Sequence, residues 1–157
     1  MCRSRSHVIG RTANRASQFG QDDPVHAPST FTQIGDVQSW LSSVDNMFEA
    51  LMTDLRLTQF GYAVRAAFEI VIDVGGRSLA EPIPVVFELE AVHELALVGA
   101  LTEAMREHPE SINWGLSEVA RVRVEDDPRG IRLEAIWEGD RRVTVVCDRL
   151  RLTVGSA

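Results

Sequence analysis

From Val64 to Val98, and again from Ala120 to Val154, the apolar residues keep returning at every second position, and that period belongs to strands with one buried face. Val64, Ala66, Phe68, Ile70, Ile72 and Val74 are apolar, while Arg65, Glu69 and Asp73 between them are charged. The pattern predicts a strand over 62–74, ended by Gly75-Gly76 and followed by a loop over 77–82. Ile83, Val85, Phe87 and Leu89 alternate with Val86, Glu88 and Glu90 as a second strand, and Leu95 to Val98 reads as a further short one. Ala120, Val122 and Val124, then Ile131, Leu133, Ala135 and Trp137, then Val143, Val145 and Cys147 give three more, and Leu150, Leu152 and Val154 carry the alternation onward. Asp127-Pro128-Arg129-Gly130 is a turn, because Pro presets φ and Gly permits a positive φ. Gly139-Asp140 is a hairpin signal. Tight turns between successive strands make the last three antiparallel.

Before the first strand the period is different. Val37, Trp40, Leu41, Val44, Met47, Phe48, Leu51 and Leu55 recur at steps of three and four, which predicts a helix over 36–54 with Asp36 as its N-cap. Ala100 to His108 reads as a second, short helix stopped by Pro109, and 111–115 as an irregular connection. Residues 1–30 have no sustained apolar period and are expected to be a disordered arm, leaving 31–157 as one domain. The fold class expected is α+β: an N-terminal helix packed on a mainly antiparallel β-sheet or open sandwich. Strands are not separated regularly by long helices, which argues against a doubly wound parallel fold.

The chain carries a net charge of −7 over its 157 residues. Its first 30 residues hold four Arg against two Asp, so the acidity is concentrated in the domain. That balance disfavours nucleic acid and anionic membrane and favours a basic partner. All 16 cationic Lys-or-Arg positions are Arg, as the codon usage of a GC-rich bacterial genome would give. The two cysteines, Cys2 and Cys147, form no disulfide framework, so a cytoplasmic location is expected. The start lacks the apolar core of a secretory signal, and no apolar run approaches the ~20 residues that span a bilayer.

No phosphate-binding glycine loop, nucleophile elbow or zinc-protease motif is present. His93 lies between Glu90 and Glu94, residue types that bind metals or move protons, but position 97 is Leu97 and no second His follows at ligand spacing. Asp22-Asp23 and Asp126-Asp127 each precede a proline and fit turns better than an acid–base pair. Cys147, among Val145 and Val146, reads as an inert buried thiol. No catalytic residue, metal or cofactor is expected. Two features suit partner binding. Glu69 and Asp73 on one strand and Glu88 and Glu90 on the next share the polar parity, so pairing of those strands would set four carboxylates on one face. Trp114, in the irregular connection, is a side chain favoured at interface hot spots.

The segment Val85-Val86-Phe87-Glu88-Leu89-Glu90-Ala91-Val92-His93-Glu94-Leu95 sets a Phe, a Val and a Leu in an F-x-x-x-x-V-x-x-L step between strands. Together with the closing Val143-Thr144-Val145-Val146-Cys147-Asp148-Arg149-Leu150-Arg151-Leu152, it resembles the immunity protein 50 family of bacterial polymorphic-toxin systems over residues 55–154. The resemblance implies a nonenzymatic protein that binds and neutralises a toxin, and it implies no catalytic residues. Two other classes of function stay open at this point. One is a small-ligand binder or enzyme using Glu90, His93, Glu94 and Trp114. The other is an assembly subunit that pairs through a sheet edge or the 36–54 helix.

Overall fold

The computed structural model describes residues 29–99, 107, 118–137 and 141–155. The expected helix at 100–108, the connection at 111–115 and the hairpin at Gly139-Asp140 lie outside the described residues, apart from a helical Glu107. So does the arm before Ser29.

Among the described residues the architecture is mainly antiparallel β with one complete α-helix. A three-residue strand β1 (Ser29–Phe31) comes first and α1 (Ile34–Ser43) follows it, so the helix does not open the fold. Then come β2 (Leu51–Thr58), β3 (Ala63–Ile72), β4 (Ser78–Val98), β5 (Val119–Asp127), β6 (Gly130–Trp137) and β7 (Arg142–Val154). They form a seven-stranded sheet in the order β2-β3-β4-β7-β6-β5, with β1 beside β7 and every pairing antiparallel.

The sheet rolls on itself. Val119 N–H donates to Ala50 O at 2.9 Å, Glu49 N–H donates to Val119 O at 2.9 Å, and Leu51 bridges Glu118. The two outer strands therefore meet at one end. Farther along, α1 packs on β5, and Gln38 Nε2 donates to the Val124 carbonyl at 2.9 Å, satisfying an acceptor on the free side of that strand. The interior holds Val64, Phe68, Val85, Phe87, Leu89, Leu133, Val145 and Leu152 from the strands and Val37, Leu41 and Met47 from the α1 region. Phe68 and Phe87 meet edge to face at 5.8 Å. Burying each such side chain contributes about 1.5–3 kcal/mol.

The helix expected over 36–54 is shorter than its apolar stripe. It starts at Ile34, with Gln33 as N-cap and Asp36 inside the first turn, where its charge suits the helix dipole. It ends at Ser43. Asp45, Asn46, Met47 and Glu49 take positive φ, a left-handed kink that Asp and Asn tolerate better than most residues. Val37, Leu41, Val44 and Met47 are buried as the stripe demands. Leu51 to Thr58 instead becomes β2, because it closes a hairpin with β3 that runs from Leu51↔Glu69 to Thr58↔Ala63. Long-range pairing overrides a local three-and-four spacing.

Two further expectations merge. Ile83 to Leu89 and Leu95 to Val98 are one strand of 21 residues, and the stretch expected as a loop before Pro82 already belongs to it from Ser78. The strand survives its change of phase through a bulge. Ala91 has φ 52°, and the register with β7 shifts between Val92 and Glu94.

Candidate functional site

β4 lines one side of β7 from Val85↔Val154 to Val98↔Arg142. The other side of β7 is shared. β6 pairs with Arg142 to Cys147, and β1 pairs with Leu152 to Val154. Asp148 to Arg151 have no strand beside them on that side among the described residues. Both neighbours run antiparallel to β7, so they read as one interrupted strand with a gap in the middle.

Local sequence sets the gap's two ends. After Phe31 the chain leaves the sheet and enters α1 at Gln33. At the other end β6 starts at Gly130, directly after the Pro128-Arg129 turn. Gly130 has φ +135°, and a Cβ there would lie 2.3 Å from the Cys147 carbonyl oxygen, so only glycine lets β6 begin so close to β7. β7 also changes phase at this level. Val143, Val145 and Cys147 are buried, and then Leu150, Leu152 and Val154, a step of three in a pattern of twos. Asp148 and Arg149 are both exposed as a result.

A cavity of about 340 Å³ opens at the gap. Thr32 and Ile131 contribute from the strand ends, and Glu88, Glu90, Arg149 and Arg151 from the β4–β7 ladder. Register explains the charge pattern, since Glu88 sits opposite Arg151 and Glu90 opposite Arg149. Arg151 Nε lies 2.7 Å from Glu88 Oε2, and Arg149 reaches Glu90 Oε2 at 2.9 Å and the Tyr62 hydroxyl at 2.9 Å. Asp148 Oδ1 bonds His93 Nε2 at 2.6 Å across the two bulged positions. All these pairs are partly exposed, and pairs of that kind contribute about 0–1 kcal/mol each. A partner's charges can replace them at small cost.

The residues singled out from sequence divide. β3 and β4 do pair, and Glu88 and Glu90 line the cavity. Their carboxylates face Arg151 and Arg149, so they form half of a charge-alternating surface. Glu69 sits opposite Pro84, farther along β3. Asp73 lies beyond the end of β3, where it accepts from the backbone amides of Gly75 and Arg77 and from the Arg77 side chain. The Arg77 amide, then its guanidinium, holds that carboxyl below the usual range. Trp114 is outside the described residues. Glu90, His93 and Glu94 each engage a different partner, with Glu94 bonded to Arg129 at 2.7 Å. They converge on no common centre.

Sequence reasoning passed over Tyr62, Asp148, Arg149 and Arg151. The step of three between Cys147 and Leu150 was the readable signal, because it announces a bulge and two adjacent outward side chains. Asp127 is indeed a turn residue. It accepts from the Arg129 backbone amide at 3.0 Å and from Arg132, and these bonds, the amide first, depress its pKa. Burial pushes the Cys147 thiol up to about 11, which leaves it un-ionised at neutral pH. Among the described residues no group of three or more His, Cys, Asp or Glu is placed to hold a metal ion, and no helix is long and apolar enough to cross a membrane.

No family model, curated protein or solved structure matches the chain.

Proposed function

We propose that this chain is a nonenzymatic protein-binding module that accepts an extended, basic segment of a partner at the gap beside Asp148 to Arg151. The observation that carries this reading is the interrupted strand itself: a row of β7 backbone that, among the described residues, has no strand on the side away from β4, edged by Glu88, Glu90 and Asp148. Strand addition takes its affinity from main-chain hydrogen bonds and its specificity from side chains at alternate positions. Here the alternate positions meet carboxylates that can release Arg149 and Arg151 and take cations from the partner. The net charge of −7 favours the same encounter at long range.

A toxin domain neutralised by an immunity protein is the partner that suits both this chemistry and the resemblance over residues 55–154. On this reading the protein acts in the bacterial cytoplasm, where the buried Cys147 thiol stays reduced. The test is co-expression with the product of the adjacent gene. The expected result is co-purification and loss of that product's toxicity, both abolished by combining Glu88→Lys, Glu90→Lys and Asp148→Lys. An adjacent toxin that stays fully active beside the unmodified chain would sink the reading.

A further inference from the structure

β7 turns alternate peptide groups toward β4 and toward the gap. Gly155 N–H donates to Pro84 O at 3.0 Å, so Thr153, Arg151 and Arg149, which keep the same register, also face β4. Val154, Leu152 and Leu150 therefore present N–H and C=O on the opposite side. Val154 and Leu152 meet Ser29 and Phe31 of β1 there. At the other end of β7, Trp137 N–H donates to Arg141 O, which sets Arg141, Val143, Val145 and Cys147 against β6. Leu150 falls between the two sets. In the β1 register its counterpart would be Gln33, but Gln33 has already turned to begin α1, and its carbonyl accepts from Asp36 and Val37. Among the described residues no strand or loop backbone bonds the Leu150 N–H or C=O on that side. Leu150 is only 4% exposed, and it lines the cavity. A buried peptide group without partners costs free energy until something supplies them.

The opening is short, and the chain on both sides of it is described. Phe31 runs through Thr32 into α1, and Gly130 follows directly on the Pro128-Arg129 turn. Thr32, one residue past the Phe31–Leu152 pair, stands at the level of Arg151, and Gly130 lies against Cys147 and Asp148. Three residue steps of roughly 3.3 Å separate those levels, about 10 Å in all. Neighbouring backbones keep about 4.8 Å between them. One chain therefore fits between Thr32 and Gly130, and two side by side do not. A strand running along β7 is stopped at both ends, and a loop would have to come and go. The inner side offers no exit, because Phe87, Leu89 and Leu152 are fully buried there. The space suits a chain end that enters from the face bearing Glu88 and Glu90.

The charges choose which end. Glu88, Glu90 and Asp148 border the cavity with Arg149 and Arg151, three carboxylates to two guanidiniums. Each guanidinium already has a glutamate, and Asp148 also bonds His93. A carboxyl terminus would add a fourth anion and set it beside the Leu150 carbonyl. An amino terminus brings a cation with three donors to a place rich in acceptors. We propose that the gap captures the free amino terminus of the partner chain. The α-ammonium donates to the Leu150 carbonyl and to Glu88 or Glu90, and the carbonyl of the partner's first residue accepts from the Leu150 N–H. Both unpaired groups of Leu150 are then satisfied by one residue. Capture of a chain terminus by backbone groups is an established mode of peptide recognition. The proposal rests on the gap being the binding site, and it narrows the partner to one that offers an accessible, unblocked amino terminus.

The experiment is an NMR titration of the isotope-labelled, full-length chain with three synthetic tripeptides. They are Ala-Arg-Ala amide with a free amino terminus, the same peptide acetylated at that terminus, and the acetylated peptide with a free carboxylate. The first is expected to shift the Leu150 amide and the Arg149 and Arg151 side-chain signals saturably. Acetylation is expected to weaken binding at least about tenfold, as the loss of a charge-assisted hydrogen bond does. The double variant Glu88→Gln, Glu90→Gln, checked for folding by circular dichroism, is expected to lose a similar factor for the free-amino peptide. If the pair does not fold together, each single variant is used in its place. Equal binding of the free and acetylated peptides, tighter binding of the carboxylate-ended one, folded variants that bind as tightly as the unmodified chain, or no shift at Leu150 with any peptide would each overturn the proposal. Co-expression separates that failure from failure of the proposed function. Neutralisation that depends on Glu88, Glu90 and Asp148 would leave the gap a binding site even where the peptide end is not recognised.

Discussion

The β4–β7 ladder and the β2 edge are both built of alternating charged and apolar residues, yet they end in opposite conditions. On the ladder Val85, Phe87, Leu89, Leu150 and Leu152 are fully or almost fully buried, and Glu88 and Glu90 find Arg151 and Arg149 across the strand. On β2 Leu57 is 58% exposed, and Asp54 meets Arg56 of its own strand and Arg65 of β3. The difference is in the neighbours. Among the described residues β4 has a strand on both sides, and β2 has one apart from the Leu51 bridge. The same alternation thus specifies a core where strands flank it and a more exposed margin where, among the described residues, one is missing. The gap beside Asp148 to Arg151 is the second condition placed inside the first. There, among the described residues, β7 lacks a strand on its other side for four residues.

Truncation should break this comparison most visibly. Phe87→Ala on the ladder is expected to cost about 3–5 kcal/mol in urea unfolding, whereas Phe60→Ala at the β2 tip should fall within about 0.5 kcal/mol of the unmodified chain. Equal costs would mean that the two strands are not in the different environments described. Gly130→Ala comes next, since it meets the Cys147 carbonyl and must hold φ +135°. A loss of about 1–3 kcal/mol or more is expected, with weaker amide protection at the start of β6 by hydrogen exchange. Arg149→Ala and Arg151→Ala should cost less than about 1 kcal/mol each, as exposed pairs do. A larger loss would mean that these arginines hold the fold together and are not free to exchange partners.

The smallest effect is with pH. Asp73 and Asp127 have depressed carboxyl pKa values when folded. Their contribution is complete above the unfolded value of about 4 and is lost as pH falls through the folded value. Urea midpoints should therefore fall on acidification toward pH 3, and Asp127→Asn should flatten that decline.

Much of this fold is legible in sequence, for reasons that particular segments make plain. β3, β5, β6 and the first half of β7 each alternate cleanly between turn signals, so period and punctuation agree. The start of α1 is legible to within two residues because Val37, Trp40 and Leu41 set the helical period, although the N-cap is Gln33 and not Asp36. Its end is not, because Leu51 and Leu55 continue the helical spacing by coincidence and only the β3 hairpin removes them from it. The continuity of β4 is hidden by the bulge at Ala91 to His93, which makes one strand look like two. At the candidate site, parity alone singles out Glu88 and Glu90. Their arginines are about sixty residues farther along the chain, and no local pattern names them. The gap itself depends on where two distant strands, β1 and β6, stop along β7, and that is a property of the assembled sheet alone.

Amide hydrogen exchange along β7, followed residue by residue by NMR on the free chain, tests the central claim most directly. The claim predicts strong protection from Val143 to Val146 and from Leu152 to Val154. Within Asp148 to Arg151 it predicts alternation, with the amides that face β4 protected and those that face the gap exchanging much faster. Uniform strong protection from Arg142 to Val154 would contradict it, because the position beside these four residues would then already be filled.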